Sequence, residues 1–134
     1  HLCSWHGGLT DEKQIAKVMN RCEAFVYGGG VGLSIIHAMA SGLPLIVHSE
    51  WSSHGPEIEA FGEGRTGCSF LKDNPTSLRS VLFELKSRTR SLEEFSKECI
   101  SRVTEKYNTD RMASRFYSYL TSFEPARTGS KSAF

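Results

Sequence analysis

Charge of one sign, long apolar runs and paired cysteines are all missing from this 134-residue sequence. Lys and Arg total 16 against 15 for Asp and Glu, so no electrostatic excess points to nucleic acid or a membrane surface. No apolar stretch approaches the ~20 residues of a membrane-spanning helix, and the opening residues do not form a signal peptide. Cys3, Cys22, Cys68 and Cys99 stand far apart and make no C-x-x-C pair. In a mixed helix-strand chain of this size, that spacing favours reduced thiols in the cytoplasm over a disulfide framework. No Asp-x-Asp is present to hold a metal, and no Gly-Lys-Ser/Thr completes a Walker A loop. The length suits one domain with a buried core. The first residue is His1, and the chain is expected to be a piece of a longer polypeptide.

Glycine, by contrast, is concentrated in one place. Residues 27–47 read YGGGVGLSIIHAMASGLPLIV, with Gly28, Gly29, Gly30 and Gly32 directly after a short apolar run. Glycine loses more freedom on folding than any other residue. Such a cluster therefore implies either positive-φ backbone or close approach of another group.

The surrounding pattern alternates helix and strand. Thr10 reads as an N-cap with Asp11 and Glu12 in the first turn, and Ile15, Val18, Met19 and Cys22 recur at helical spacing. Ala24 to Tyr27 is a continuous apolar run, as in a strand buried on both faces. Leu33 to Ala40 is helical, stopped by Ser41-Gly42 with Pro44 beyond. Leu45 to Val47 is the next buried strand, residues 49–56 a loop, Glu57 to Phe61 a short helix and Thr66 to Leu71 a third strand. Three helices follow. Leu78, Val81, Leu82 and Leu85 mark one; Leu92, Phe95, Cys99, Ile100 and Val103 another; Met112, Phe116, Tyr119 and Leu120 the last, capped by Thr109. Their charges have mixed sign and read as solvated faces. The expected organisation is an α/β domain over 1–123, with a Rossmann-like parallel sheet, flanking helices and a helical C-terminal end. Residues 124–134 read as a disordered tail.

A glycine turn between a strand and a helix is where α/β proteins hold phosphates, because free N–H groups and the helix dipole favour an anion. The place also lies beyond the carboxyl end of a parallel strand. A plain tight turn is the competing explanation. A dinucleotide fingerprint, G-x-G-x-x-G, fails at its last glycine, although Glu50 stands roughly where an acid would end the second strand of such a unit.

The wider stretch is more specific. Gly29 to Pro44, G-G-V-G-L-S-I-I-H-A-M-A-S-G-L-P, resembles the donor-binding motif E-G-F-G-L-x-x-x-E-A-M-A-x-G-x-P of GT-B glycosyltransferases of the family 4 (glycosyl transferases group 1) type. The resemblance continues through His54-Gly55-Pro56-Glu57-Ile58, like that family's G-x-P-E-I loop, and through Gly64 and Gly67. Upstream, Trp5-His6-Gly7-Gly8-Leu9 is similar to the family's F-x-G-x-L strand end. Both motif glutamates are replaced: Gly29 stands in place of the first and His37 in place of the second.

The resemblance implies a nucleotide diphosphate-sugar lying across Gly30, Val31, Gly32, Leu33 and Ser34, with backbone N–H groups on the diphosphate. Such donors would stabilise charge building on the leaving group. Gly29 and His37 would lie by the donor sugar or ribose, Gly8 and Leu9 by the base. A neutral imidazole offers one donor and one acceptor where a carboxylate only accepts; a histidine bonded within the interior is the alternative for position 37. His54 and Glu57 would border the cleft, with Glu57 equally able to complement a helix dipole. His48 and His54 lack a partner set for zinc, and no metal or cofactor is expected. Expected partners are a nucleotide-sugar, an acceptor glycan, lipid or other small molecule, and an N-terminal acceptor domain of the same longer chain, but no nucleic acid. That longer protein would be cytoplasmic, or lie on the cytoplasmic face of a membrane. Retention of configuration would follow from membership. Two other readings stay open: a GT-B-type sugar-nucleotide epimerase, and a non-catalytic nucleotide-binding or interaction module.

Overall fold

The computed structural model describes residues 3–87 and 92–123. The tail assigned to 124–134 lies outside the described residues. The elements run α1 (Glu12–Met19), β1 (Phe25–Tyr27), α2 (Ser34–Ala40), β2 (Leu45–His48), one-turn helices at Trp51–Ser53 and Pro56–Ala60, β3 (Gly67–Phe70), α3 (Pro75–Ser87), α4 (Leu92–Lys106) and α5 (Thr109–Ser122). The three strands form a parallel sheet in the order β1-β2-β3, with Phe25 opposite Leu45 and Leu45 opposite Gly67. This is the α/β, Rossmann-like arrangement with a helical end that the alternating pattern predicts.

The alternation of side chains along β2 explains why helices cover both faces. Leu45 and Val47 point into a cluster with Val31, Ile35, Ala38, Met39, Ala60 and Cys99, while Ile46 points into another with Cys68, Phe70, Leu85 and Phe95. All four β2 residues are buried. Gly42 ends α2 at φ +73, a conformation that costs glycine little.

Burial fixes the chemistry of two thiols. Cys99 is fully buried, its Sγ–H aimed at the carbonyls of Leu43 and Thr66, and desolvation pushes its pKa up to about 12. Cys68 is buried as well, while Cys3 and Cys22 are exposed. A thiol-reactive dye should therefore titrate two cysteines in the native chain and all four after unfolding.

Several local expectations need correction. The cap of α1 is Asp11, whose carboxylate accepts the Gln14 N–H at 2.9 Å, and Thr10 lies outside the helix. Cys22 falls beyond the end of α1 and is exposed. The cap of α5 is Asn108, accepting from Asp110 N–H at 2.8 Å, and Thr109 is already helical. β1 is not buried on both faces: Val26 is 46% exposed, because β1 forms the sheet edge among the described residues. The stretch Trp5 to Leu9 forms no strand. Trp5 is 91% exposed and Gly7 turns the chain at φ +67, so nothing pairs with the free side of β1 there. No helix among the described residues is long and apolar enough to cross a membrane.

Candidate functional site

The candidate site lies where β1 hands over to α2, at the carboxyl edge of the sheet. None of Gly28, Gly29, Gly30 or Gly32 has positive φ, so left-handed backbone does not explain the cluster. Close approach does explain one of them. A Cβ on Gly30 would collide with the carbonyl oxygen of Ser53, a backbone atom that cannot rotate away. Gly28 and Gly32 face open space, with nothing within 4 Å of a Cβ at either. The room beside Gly32 is not taken by any of the described residues.

The segment after β2 holds the turn in place. Val31 is buried and both of its backbone groups are engaged: its N–H donates to His54 Nδ1 at 3.1 Å, and its carbonyl accepts the Gly55 N–H at 2.8 Å. A Cβ on Gly55 would lie 2.9 Å from the Val31 carbonyl oxygen, so position 55 needs glycine for this contact. Residues 53–55 thus clasp residues 30–31. Among the described residues, no acceptor within the chain takes the amides of Gly32, Leu33 and Ser34.

Both ring nitrogens of the half-buried His54 are engaged within the chain. Its ring stacks on His48 with centroids 4.1 Å apart, and its Nε2 lies 2.8 Å from the His48 carbonyl oxygen. His48 is itself fully buried, with Nδ1 accepting the Glu50 N–H at 3.2 Å. Desolvation first, then the facing His54, pushes the His48 imidazole below the ordinary histidine range. Nothing in the spacing of two histidines six residues apart announces a stack, so the sequence carried no signal for this pairing.

The remaining candidates divide. His37 is exposed and lines a cavity of about 250 Å³ shared with Glu12, Ile15 and Ala40, on the α1 side of α2. An interior, hydrogen-bonded histidine is therefore ruled out at that position. Glu57 is half-buried, and its carboxylate folds back toward Gly55, within 2.7 Å of where a Cβ would stand. Gly29 is exposed beside Tyr27. Gly8 is exposed and Leu9 half-buried on the irregular approach to α1. Leu33 is 67% exposed at the mouth of the turn. Glu50 pairs at the surface with the Lys72 ammonium, which lowers its carboxyl pKa.

A parallel sheet with helices on both faces and a glycine turn at its carboxyl edge is a Rossmann-like arrangement. No family model matches the chain, and no curated protein matches it. Solved structures match its fold. Sucrose-phosphate synthase from Thermosynechococcus elongatus superimposes with a TM-score of 0.69 at 19% identity, over 88% of this chain and 30% of that one. HepE from Anabaena, solved in complex with UDP, gives 0.67 at 14% identity over 79% and 29%. A TarM variant from S. aureus, in complex with fondaparinux, alpha-GlcNAc-glycerol and UDP, gives 0.64 at 18% over 77% and 21%. The chain spans less than a third of the length of each of these proteins. At these identities the likeness is one of fold.

Proposed function

We propose that this chain is part of the donor-binding half of a glycosyltransferase of the family 4 type, which moves a sugar from a nucleotide diphosphate-sugar to an acceptor hydroxyl. One observation carries the reading: among the described residues the amides of Gly32, Leu33 and Ser34 have no acceptor and nothing fills the space beside Gly32, at the edge of a sheet whose fold resembles that of a protein solved with UDP. The diphosphate would lie on those three amides with the Ser34 hydroxyl beside them. The Val31 N–H, given to His54, is not among its donors. His37 and Gly29 would flank the ribose or sugar, and Gly8 and Leu9 the base. With no glutamate at position 29, same-face attack assisted by the leaving diphosphate asks less of these residues than double displacement, and configuration would be retained. An acceptor domain elsewhere in a longer protein would complete the cleft. The apolar side of α5, where Met112, Phe116, Tyr119 and Phe123 are all more than half exposed, would then have a neighbour.

Ligand-observed NMR of the 134-residue chain with UDP, GDP, ADP and the free bases tests the reading. The expected result is binding that requires the diphosphate, weakened severalfold in His37→Ala. Binding of free bases as tight as that of the diphosphates would overturn the placement on the turn. A non-catalytic nucleotide-binding module is the second reading, favoured by the loss of both motif glutamates. It would bind equally but lack transfer in the longer protein.

A further inference from the structure

His54 is held by two backbone groups that cannot exchange roles. The Val31 N–H can only donate, so Nδ1 at 3.1 Å must be bare; the His48 carbonyl can only accept, so Nε2 at 2.8 Å must carry the proton. An imidazolium carries a proton on both nitrogens. It would keep the contact to His48 and turn the contact to Val31 into two facing N–H groups. We infer that His54 is a positioning residue that latches the glycine turn only as its neutral Nε2–H tautomer, and that protonating it loosens residues 30–34 and their hold on a nucleoside diphosphate. The second half of that statement rests on the donor-site reading above; the latch itself does not.

The Val31 amide is gripped by one ring of the pair, although His48 also lies against the Gly29 backbone of the same turn. The groups facing the pair are His48 in the stack, the Trp51 ring at 6.0 Å from His54, Glu57 folded over Gly55, and on the His48 side Glu50 and Lys72, paired with each other. His48, already held down by burial and by its stacked partner, resists taking a second proton beside a charged His54. The clasp has no other side chain on the Val31 amide among the described residues: the Ser53 carbonyl only fills the space at Gly30, and Gly55 holds the Val31 carbonyl.

Proton-nitrogen NMR of the intact chain between about pH 8 and pH 5, with UDP titrated at each end, tests this. The Val31 amide resonance is expected to move in step with protonation of the His54 ring, and UDP affinity to fall roughly five- to tenfold, the worth of one hydrogen bond. In His54→Asn the side-chain oxygen can still accept the Val31 N–H but does not titrate, so the Val31 amide should stop following pH. The pH dependence of UDP binding should shrink to what the ligand's own terminal phosphate and the rest of the site contribute. A Val31 amide unmoved while His54 titrates would overturn the latch. So would a His54→Asn variant that keeps the wild-type pH dependence. If the Val31 amide follows His54 but UDP binds at neither pH, the latch stands and the donor-site reading alone fails.

Discussion

Gly67→Ala is expected to abolish cooperative folding of the chain. Gly67 stands opposite Leu45 in the parallel β2–β3 register, just after a turn in which Gly64 takes φ +68 and donates its N–H to the Gly67 carbonyl. A Cβ there would overlap the Leu45 carbonyl oxygen and lie 2.7 Å from its carbonyl carbon and 2.8 Å from its nitrogen. Those are backbone atoms of the central strand, buried on both faces. They cannot turn aside as a side chain would. Relief requires the strands to part, which removes hydrogen bonds such as Leu45 N–H to the Thr66 carbonyl at 2.9 Å and opens both core clusters. Ordinary overpacking costs about 1–3 kcal/mol. A clash between two backbones should exceed about 4 kcal/mol, most of the margin of a small domain. Denaturant unfolding followed by circular dichroism reads the outcome. Gly28→Ala, with open space at its Cβ, is the control and should stay within about 0.5 kcal/mol of wild type. A Gly67→Ala protein that unfolds near the wild-type midpoint would mean the β2–β3 register is wrong.

The order of elements was legible because burial imposes periodicity: three apolar runs, helical spacings and glycine stops marked every strand and every long helix. What depended on partners distant in sequence was not. The Ala24–Tyr27 run has the composition of an interior strand, yet Val26 and Tyr27 are exposed, and among the described residues no further strand pairs with β1. Composition reports what a segment tolerates and says nothing of what lies beside it. The same limit applies to the caps, displaced by one residue wherever two capping types adjoin, as at Thr10-Asp11 and Asn108-Thr109. At the site, the turn was visible in the glycines, but its division of labour was not. Gly30 accommodates Ser53 from 23 positions away, and His54 reaches the Val31 amide over the same separation. A motif resemblance places both segments near a ligand without saying that one of them grips the other.

Gly32→Asp is expected to keep the fold and lose the nucleotide. The position has no positive φ, and a Cβ added there has nothing within 4 Å among the described residues, so the side chain starts from open space. A carboxylate ahead of the first turn of α2 is, if anything, favourable to the helix dipole, and stability should change by no more than about 0.5 kcal/mol. The same carboxylate would occupy the space and oppose the charge of a diphosphate seated on the Gly32, Leu33 and Ser34 amides. Like charges brought together cost several kcal/mol, so UDP affinity should fall more than about a hundredfold. Gly30→Ala should do the reverse, pressing on the Ser53 carbonyl and loosening the clasp at a cost in stability of about 1–3 kcal/mol. Neighbouring glycines of one cluster would then be separated by cause, one kept open for the fold and one for the ligand. If Gly32→Asp binds UDP as wild type does, the diphosphate lies elsewhere, and the open space at Gly32 belongs to the turn alone.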